Sequence, residues 1–540
     1  MFQLKCCAKY KLVSKKLVFV RLYWILWLSI LVIVNQASSV RMHAILPTTA
    51  GFYQKFGKYC GHQVHTIAHY SPSVIGQTLV KNNFAPTISA NYTHPPYENA
   101  LPSGDVGEGG NEVVEPSSPV VISEALQIVN EWKYLDFEYP SYAQRQHAIA
   151  NRDFVPENSL PLGIDVYGQR IFVTTPRWKD GVPASLSYLP YPAKERSPAL
   201  RPYPDWSFHS KAQQPNCTKL ISIYRSSIDT CGRLWAIDSG VVNAIVHLNQ
   251  ICPPKIVAFD LVNDKMVISY TLPPEQLKQD SLHSNILADV HPDHCTDAYV
   301  YVTDVWRFGI VVYSLANNRS WRVTNYNLNP NPIASDFNLY GLNFQWLDGV
   351  FGMSLSLEER NNQTNNGRIL YFHPMASFKE FAVSTKLLQD ESLWPERAQE
   401  AAKYFVEIGD RGHLSQSSTA AIARNGVMFY TQVHRDNIGC WNTAKPYVRG
   451  NLALLLSNSQ TLVQFPNDLK VDQELDQSVW VISNRLPIYL YDKLNNSDVN
   501  FRILRASVVE VIRNSVCDPK MLIAHSNIPV TVQLREGQCY

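Results

Sequence analysis

Asp238, Asp304 and Ser483 each close a short apolar segment, and that placement is the first chemical signal in this chain. A carboxylate at the end of a strand bordering a cavity can take a proton from a bound molecule or hold an ammonium group. The same residue can instead cap its own turn through local backbone hydrogen bonds, which is the commoner use of Asp there. Aromatic faces would supply the other half of a site for a cationic or ring-shaped ligand, and Phe344, Trp346 and Trp441 are available for it, although such residues more often build core. Recognised catalytic patterns are missing: there is no GxSxG elbow, no HExxH, no EF-hand loop and no phosphate-cradling Gly loop. Common hydrolase and kinase-like mechanisms are therefore set aside, and no cofactor is expected. Asp289, His291, Asp293 and His294 form the nearest metal-like cluster, but Pro292 makes it a turn. Zinc also needs partners fixed from elsewhere, so this reads as a solvated loop and no metal is expected.

The apolar segments that carry these ends recur six times: Arg170 to Thr175, Arg233 to Asp238, Tyr299 to Asp304, Arg368 to Pro374, Val427 to Gln432 and Ser478 to Ser483. Taking Phe172, Trp235, Tyr301, Tyr371, Phe429 and Trp480 as equivalent positions, the separations are 63, 66, 70, 58 and 51 residues. Each interval holds a four-stranded sheet with generous loops, somewhat longer than the roughly 40 to 50 residues of tighter propeller repeats. An all-β, six-bladed propeller is expected, with a two-layer β protein as its competitor. The recurrent segments are expected to line the central channel with their polar ends. Ser392 to Val406 is the best helix candidate, with Pro395 near its start.

Residues 1–39 read as a cleaved secretion signal: six Lys and Arg precede the apolar run Leu22 to Val34, and Ala37-Ser38-Ser39 follows. An uncleaved anchor is the rival reading. Removing the signal leaves 42 Lys and Arg against 46 Asp and Glu, a formal charge of −4. Nucleic acid is then not an expected partner, nor is a membrane after cleavage. Residues 40–118, with an acidic Gly-rich run, read as a flexible leader or propeptide, residues 119–525 as the propeller and 526–540 as a tail. Outside the cell, Cys217, Cys231, Cys252, Cys295, Cys440 and Cys517 are disulfide candidates of open pairing, with Cys60 and Cys539 also left after cleavage. Asn91, Asn216, Asn318, Asn362 and Asn495 open glycosylation sequons.

At Asn130 to Phe137, Pro161 to Ile164, Phe172 to Ala184, Pro202 to Trp206, Cys231 to Trp235, Gly341 to Trp346, Gly349 to Ser356, Tyr371 to Pro374, Gly439 to Trp441 and Val479 to Arg485, the chain resembles the insect Yellow and major royal jelly protein family. These motifs favour its Yellow branch. The resemblance implies a secreted six-bladed propeller with a tunnel-like cavity along its axis and a small amine or catechol-derived ligand. It adds Asn343, Gln416 and Asn484 to Phe344 and Ser483 as ligand-binding candidates. Three functions follow: a pigmentation or cuticle protein that binds a catecholic or indolic amine; a dopachrome-converting enzyme in which Asp238 or Asp304 moves the proton; or a non-catalytic structural component associated with the cuticle matrix.

Overall fold

The computed structural model describes residues 125–522, apart from 211–214, 245–247, 359–366 and 458–460. The signal and leader, Cys60, Cys539, Asn91, Asn362 and the tail lie outside the described residues. Among the described residues, six four-stranded antiparallel sheets make up the ring and two two-stranded pairs lie outside it. The first strands of the six sheets are Gly163–Tyr167, Ile223–Ile228, His283–Asp289, Val350–Leu355, Ala420–Ile422 and Pro466–Val471, which begin blades 1 to 6. Each first strand touches the first strands of the blades on either side, so these six close a ring about one axis. The fold is the expected six-bladed propeller.

The recurrent apolar segments are the second strand of every blade, one layer out from the axis. The expectation that they line the channel is thus corrected, and the reason is packing. Flanked by a strand on both sides and pressed between neighbouring blades, a second strand is apolar on both faces, whereas a first strand turns polar residues inward. Phe172, Trp235, Tyr301, Tyr371, Phe429 and Trp480 all occupy the third place of their strand and are all buried. Three of them also satisfy a carboxylate at the turn before their strand: Trp235 Nε1 donates to Asp229 at 2.7 Å, Tyr301 Oη to Asp289 at 3.0 Å and Trp480 Nε1 to Asp472 at 2.8 Å.

The sixth sheet is built from both ends of the described chain. Its outermost strand, Gln127–Trp132, pairs with Phe501–Ser507 and so latches the ring. Glu131 reinforces the latch, reaching Arg196 at 2.6 Å and Arg502 at 3.6 Å. Disulfides join Cys217 to Cys252, Cys231 to Cys295 and Cys440 to Cys517. The second of these staples the turns between first and second strands of blades 2 and 3. No helix among the described residues is long and apolar enough to cross a membrane.

Ser392 to Val406 is not one helix. It forms three short turns, Glu391–Leu393, Ala398–Ala401 and Ala402–Tyr404. Asn325 and Asn327 of the preceding blade take the carbonyls of Ala402 and Phe405, and Trp394, Ala401 and Phe405 are drawn into the core of blades 3 and 4. The longest helix is Tyr142–Ala150, whose Ser141 cap accepts from Gln144 N at 3.2 Å. The Ser-x-x-Gln signature of a capping box was there to be read.

At mid-height the axis is filled rather than tunnel-like. Arg225 of blade 2 crosses it to blades 5 and 6, donating to the carbonyls of Ser418 at 2.9 Å and Asn467 at 2.6 Å and to Asn467 Oδ1 at 2.8 Å. It pairs with Asp468 at 3.3 Å, both side chains fully buried, and lies 5.7 Å from the Phe351 ring centroid of blade 4. Removing one partner of such a pair strands the other in low dielectric. Arg225→Ala is expected to cost about 3–5 kcal/mol by chemical denaturation, with Arg225→Met/Asp468→Asn recovering part of the loss.

Candidate functional site

First strands begin, and second strands end, at one face of the ring, called the upper face here. The connections over that face carry the side chains of interest. Between blades 3 and 4 the chain folds into a hairpin, Asp336–Leu339 paired with Leu342–Gln345. Tyr340 and Gly341 turn it with φ of +56° and +80°, the left-handed pair of a type I′ turn. Tyr340 Oη then pins the tip to Asp436 at 2.5 Å, and Asp436 also accepts from Phe465 N at 2.8 Å.

Alternation along the hairpin puts Phe337 and Leu339 against the propeller and leaves Asp336, Asn338, Asn343 and Gln345 exposed. Its rings join a row. His434 lies near-parallel to Phe337 at 5.8 Å, Phe337 to Phe344 at 5.3 Å, and Phe344 leans on Tyr491 at 4.9 Å. Trp346 flanks the row and donates to Tyr491 Oη at 2.6 Å. Beside this row opens a cleft of about 560 Å³, lined by the hairpin, by Phe378 and His434 at the turns after the second strands of blades 4 and 5, and by His413 and Leu414 ahead of blade 5. Burial, with His413 and Arg435 adding to it, lowers the affinity of His434 for a proton below the usual imidazole range.

Of the residues expected from the sequence, Asn343 and Phe344 line this cleft. Gln416 lies buried, donating to Ala334 O at 3.1 Å, with no partner for Oε1 among the described residues. Ser483 donates to Gln464 O at 2.6 Å and Asn484 to Pro161 O at 2.8 Å, both inside the fold. Trp441 is core of blade 5, bonded to Lys445 O at 3.0 Å.

Asp238 and Asp304 are fully buried beneath the upper face, where each holds the chain that enters its own blade. Asp238 accepts from Ile221 N and Ser222 N, both at 2.8 Å, and from Gly240 N at 3.1 Å, and meets Lys255 at 2.9 Å. Asp304 accepts from Leu282 N at 3.0 Å, Ser281 Oγ at 2.5 Å and Arg307 N at 3.1 Å, and meets Arg322 at 2.9 Å. Burial alone would raise Asp304, but His283, Arg322 and the Ser281 hydroxyl outweigh it and hold the carboxyl below its usual range. Neither carboxylate lines the cleft.

Sequence reasoning missed Phe337, Phe378, His413 and His434. His434 stands two residues past the segment ending at Gln432, so the same recurrence would have found it had the turn been searched as well as the strand end. Around His291 the carboxylates stand off, 3.8 Å to Asp293 and 3.5 Å to Glu358, and Nδ1 accepts from Asp293 N at 3.1 Å. No group of three or more His, Cys, Asp or Glu among the described residues could hold a metal ion. Asn216, Asn318 and Asn495 are exposed.

Asp348, between the hairpin and the first strand of blade 4, accepts from Trp306 Nε1 at 2.9 Å, and burial raises its carboxyl to about 7. A carboxyl raised on folding favours the folded state at acid pH and loses that benefit as pH climbs from the ordinary carboxylate range through 7. The gap in Tm between Asp348→Asn and the parent should therefore widen in the variant's favour from pH 5 to pH 8.

Comparison with known proteins gives a family-model match, Major royal jelly protein, over residues 221–517. Dopaminechrome tautomerase of Drosophila melanogaster is 59% identical over 417 residues, 77% of this chain and 89% of that protein. Protein yellow of Drosophila melanogaster is 37% identical over 396 residues, 73% of this chain and 71% of that one, and Protein yellow of Drosophila yakuba is 36% identical over 404 residues, 74% and 72%. Among solved structures, a virginiamycin B lyase from Staphylococcus aureus covers 71% of this chain and 99% of its own with a TM-score of 0.35 and 11% identity, a likeness too loose to bear on function.

Proposed function

Because the chain belongs to the Yellow and major royal jelly protein family, we propose that it is a secreted protein of pigment formation that takes a small catechol-derived indolic molecule into the upper-face cleft and acts on it as an aminochrome tautomerase. The observation that carries this reading is 59% identity across 89% of a protein named for that reaction. Secretion rests on the basic and apolar N-terminal segment, the disulfides and the exposed sequons.

Converting an aminochrome to a dihydroxyindole is an isomerisation. Two carbon-bound protons leave the saturated edge of the five-membered ring, and two protons arrive on the quinone oxygens. No external oxidant or reductant is consumed. Such a site needs an apolar slot for a flat ring, donors for two oxygens and a group able to carry protons near neutrality. The cleft offers Phe337, Phe344 and Phe378, the amides of Asn338 and Asn343, and two imidazoles. Its volume falls in the range of about 300–1,000 Å³ usual for small-ligand pockets.

Purified protein mixed with freshly generated dopaminechrome should bleach its visible absorbance and yield dihydroxyindole faster than buffer, without oxygen uptake. Binding with no acceleration would reject the enzyme and leave a carrier of the same ligand. Phe344→Ala should weaken binding about tenfold, the loss of one aromatic contact of about 1.4 kcal/mol, read by quenching of Trp fluorescence.

A further inference from the structure

We propose that His434 and His413 divide the work of this tautomerisation: His434 donates its Nε2–H to a quinone oxygen as a neutral electrophile, and His413 removes the ring proton. The inference rests on the tautomerase reading and deepens it to named atoms. Both imidazoles line the same cleft, and they are near enough for one to disfavour charge on the other. They sit on separate connections, tied together by Arg435, whose Nη2 donates to His413 O at 2.7 Å.

His434 is the better fixed of the two. Its ring stacks on Phe337, interplanar angle 19°. Nδ1 is buried with no partner among the described residues. A proton on that nitrogen would be an orphaned buried N–H, which native structures avoid more strictly than an unfilled lone pair. The neutral ring therefore carries its proton on Nε2. An imidazole kept neutral in this way polarises a carbonyl by hydrogen bonding without needing to be charged.

His413 is exposed and presents its ring edge-on to Phe378, centroids 5.4 Å apart. Its ring makes no hydrogen bond among the described residues, so a nitrogen is free to accept. The charged groups around the pair are Asp336, whose carboxylate accepts from Gln345 at 2.6 Å, together with Arg435 and Arg449.

The step balances as follows in atoms and electrons. A C–H bond at the saturated ring edge breaks, and its proton passes to His413. The electron pair moves through the conjugated ring to the quinone oxygen, where the His434 N–H stabilises the developing charge. Water at the open side of the cleft protonates that oxygen, and His413 returns its proton to water. The second C–H repeats the sequence, and the protein ends unchanged.

The test is kinetic and spectroscopic, on the full secreted chain. His434→Gln keeps a neutral N–H donor and should stay within about tenfold of the parent, whereas His434→Phe keeps the stack and should lose about 10²–10³ in kcat, the usual loss for one such donor. His413→Gln should lose about 10²–10⁴, with partial rescue by added imidazole. Affinity for the dihydroxyindole product, read by Trp fluorescence, should change less than about threefold in all three, since each acts on the transition state. Nitrogen-15 shifts should show His434 protonated on Nε2. If the parent turns dopaminechrome over while either His434→Phe or His413→Gln keeps its rate, or if His434 carries its proton on Nδ1, the assignment is overturned and the tautomerase reading stands. If the parent gives no turnover, both fall.

Discussion

One guanidinium sits where six sheets converge. Arg225 reaches from blade 2 across the axis to the backbone of blades 5 and 6 and packs against the Phe351 ring of blade 4. Its partner Asp468 accepts from Ile164 N of blade 1 at 3.0 Å, and Asn285 of blade 3 donates to Phe351 O. Every blade is thereby drawn into one buried polar network. Most apolar layers of such a ring lie between blades, as the separate clusters of core residues show, while one larger cluster, from Ile164 and Tyr224 to Val305, Met375, Val433 and Phe465, joins all six blades. A charge taken out of water is costly unless it is paired and hydrogen-bonded, and Arg225 meets that demand through Nη1 and Nη2, while its Nε has no partner among the described residues. That requirement fixes the angular position of the first strands, and through them the height and direction of every connection on the upper face.

The sequence could be read wherever burial is apolar and failed wherever burial is polar. Second strands such as Arg233–Asp238 and Val427–Gln432 are buried almost end to end and announce themselves as short apolar runs with an aromatic at the third place. First strands such as Ile223–Ile228 and Pro466–Val471 carry Arg225, Asn467, Asp468 and Lys470, which look like loop residues until the axis network accounts for them. The number of blades was therefore legible while the identity of the innermost strand was not. Asp238 and Asp304 have partners that the local sequence does not reveal. A carboxylate ending an apolar strand looks available, yet both are filled by backbone N–H groups of the chain arriving at the same blade, and such a contact spans 16 to 22 residues of sequence.

The cleft shows the same division. Asn343 and Phe344 belong to a hairpin whose turn and alternation are local, and they lie within the Gly341 to Trp346 motif that carries the family resemblance. His413 and His434 come from separate connections, and only the closure of the ring brings them within reach of that hairpin. Even disulfide membership was legible from the even cysteine count, whereas the pairing of Cys217 with Cys252, Cys231 with Cys295 and Cys440 with Cys517 depended on which connections share a face. Cys440 with Cys517 ties the third strand of blade 5 to the segment that follows Phe501–Ser507, the third strand of blade 6, steadying the seam on the C-terminal side.

The latch strand carries a consequence for biosynthesis. Gln127–Trp132 leaves the ribosome long before Phe501–Ser507, its one strand partner among the described residues, has been translated. Through nearly the whole of elongation the nascent polypeptide holds an orphan edge, with the five sheets between them unable to become a circle. Vectorial synthesis can complete individual sheets, but the ring closes only after Phe501–Ser507 has emerged. Chaperones must shield that edge meanwhile, and any product truncated ahead of Phe501 is an open arc with an exposed edge prone to aggregation.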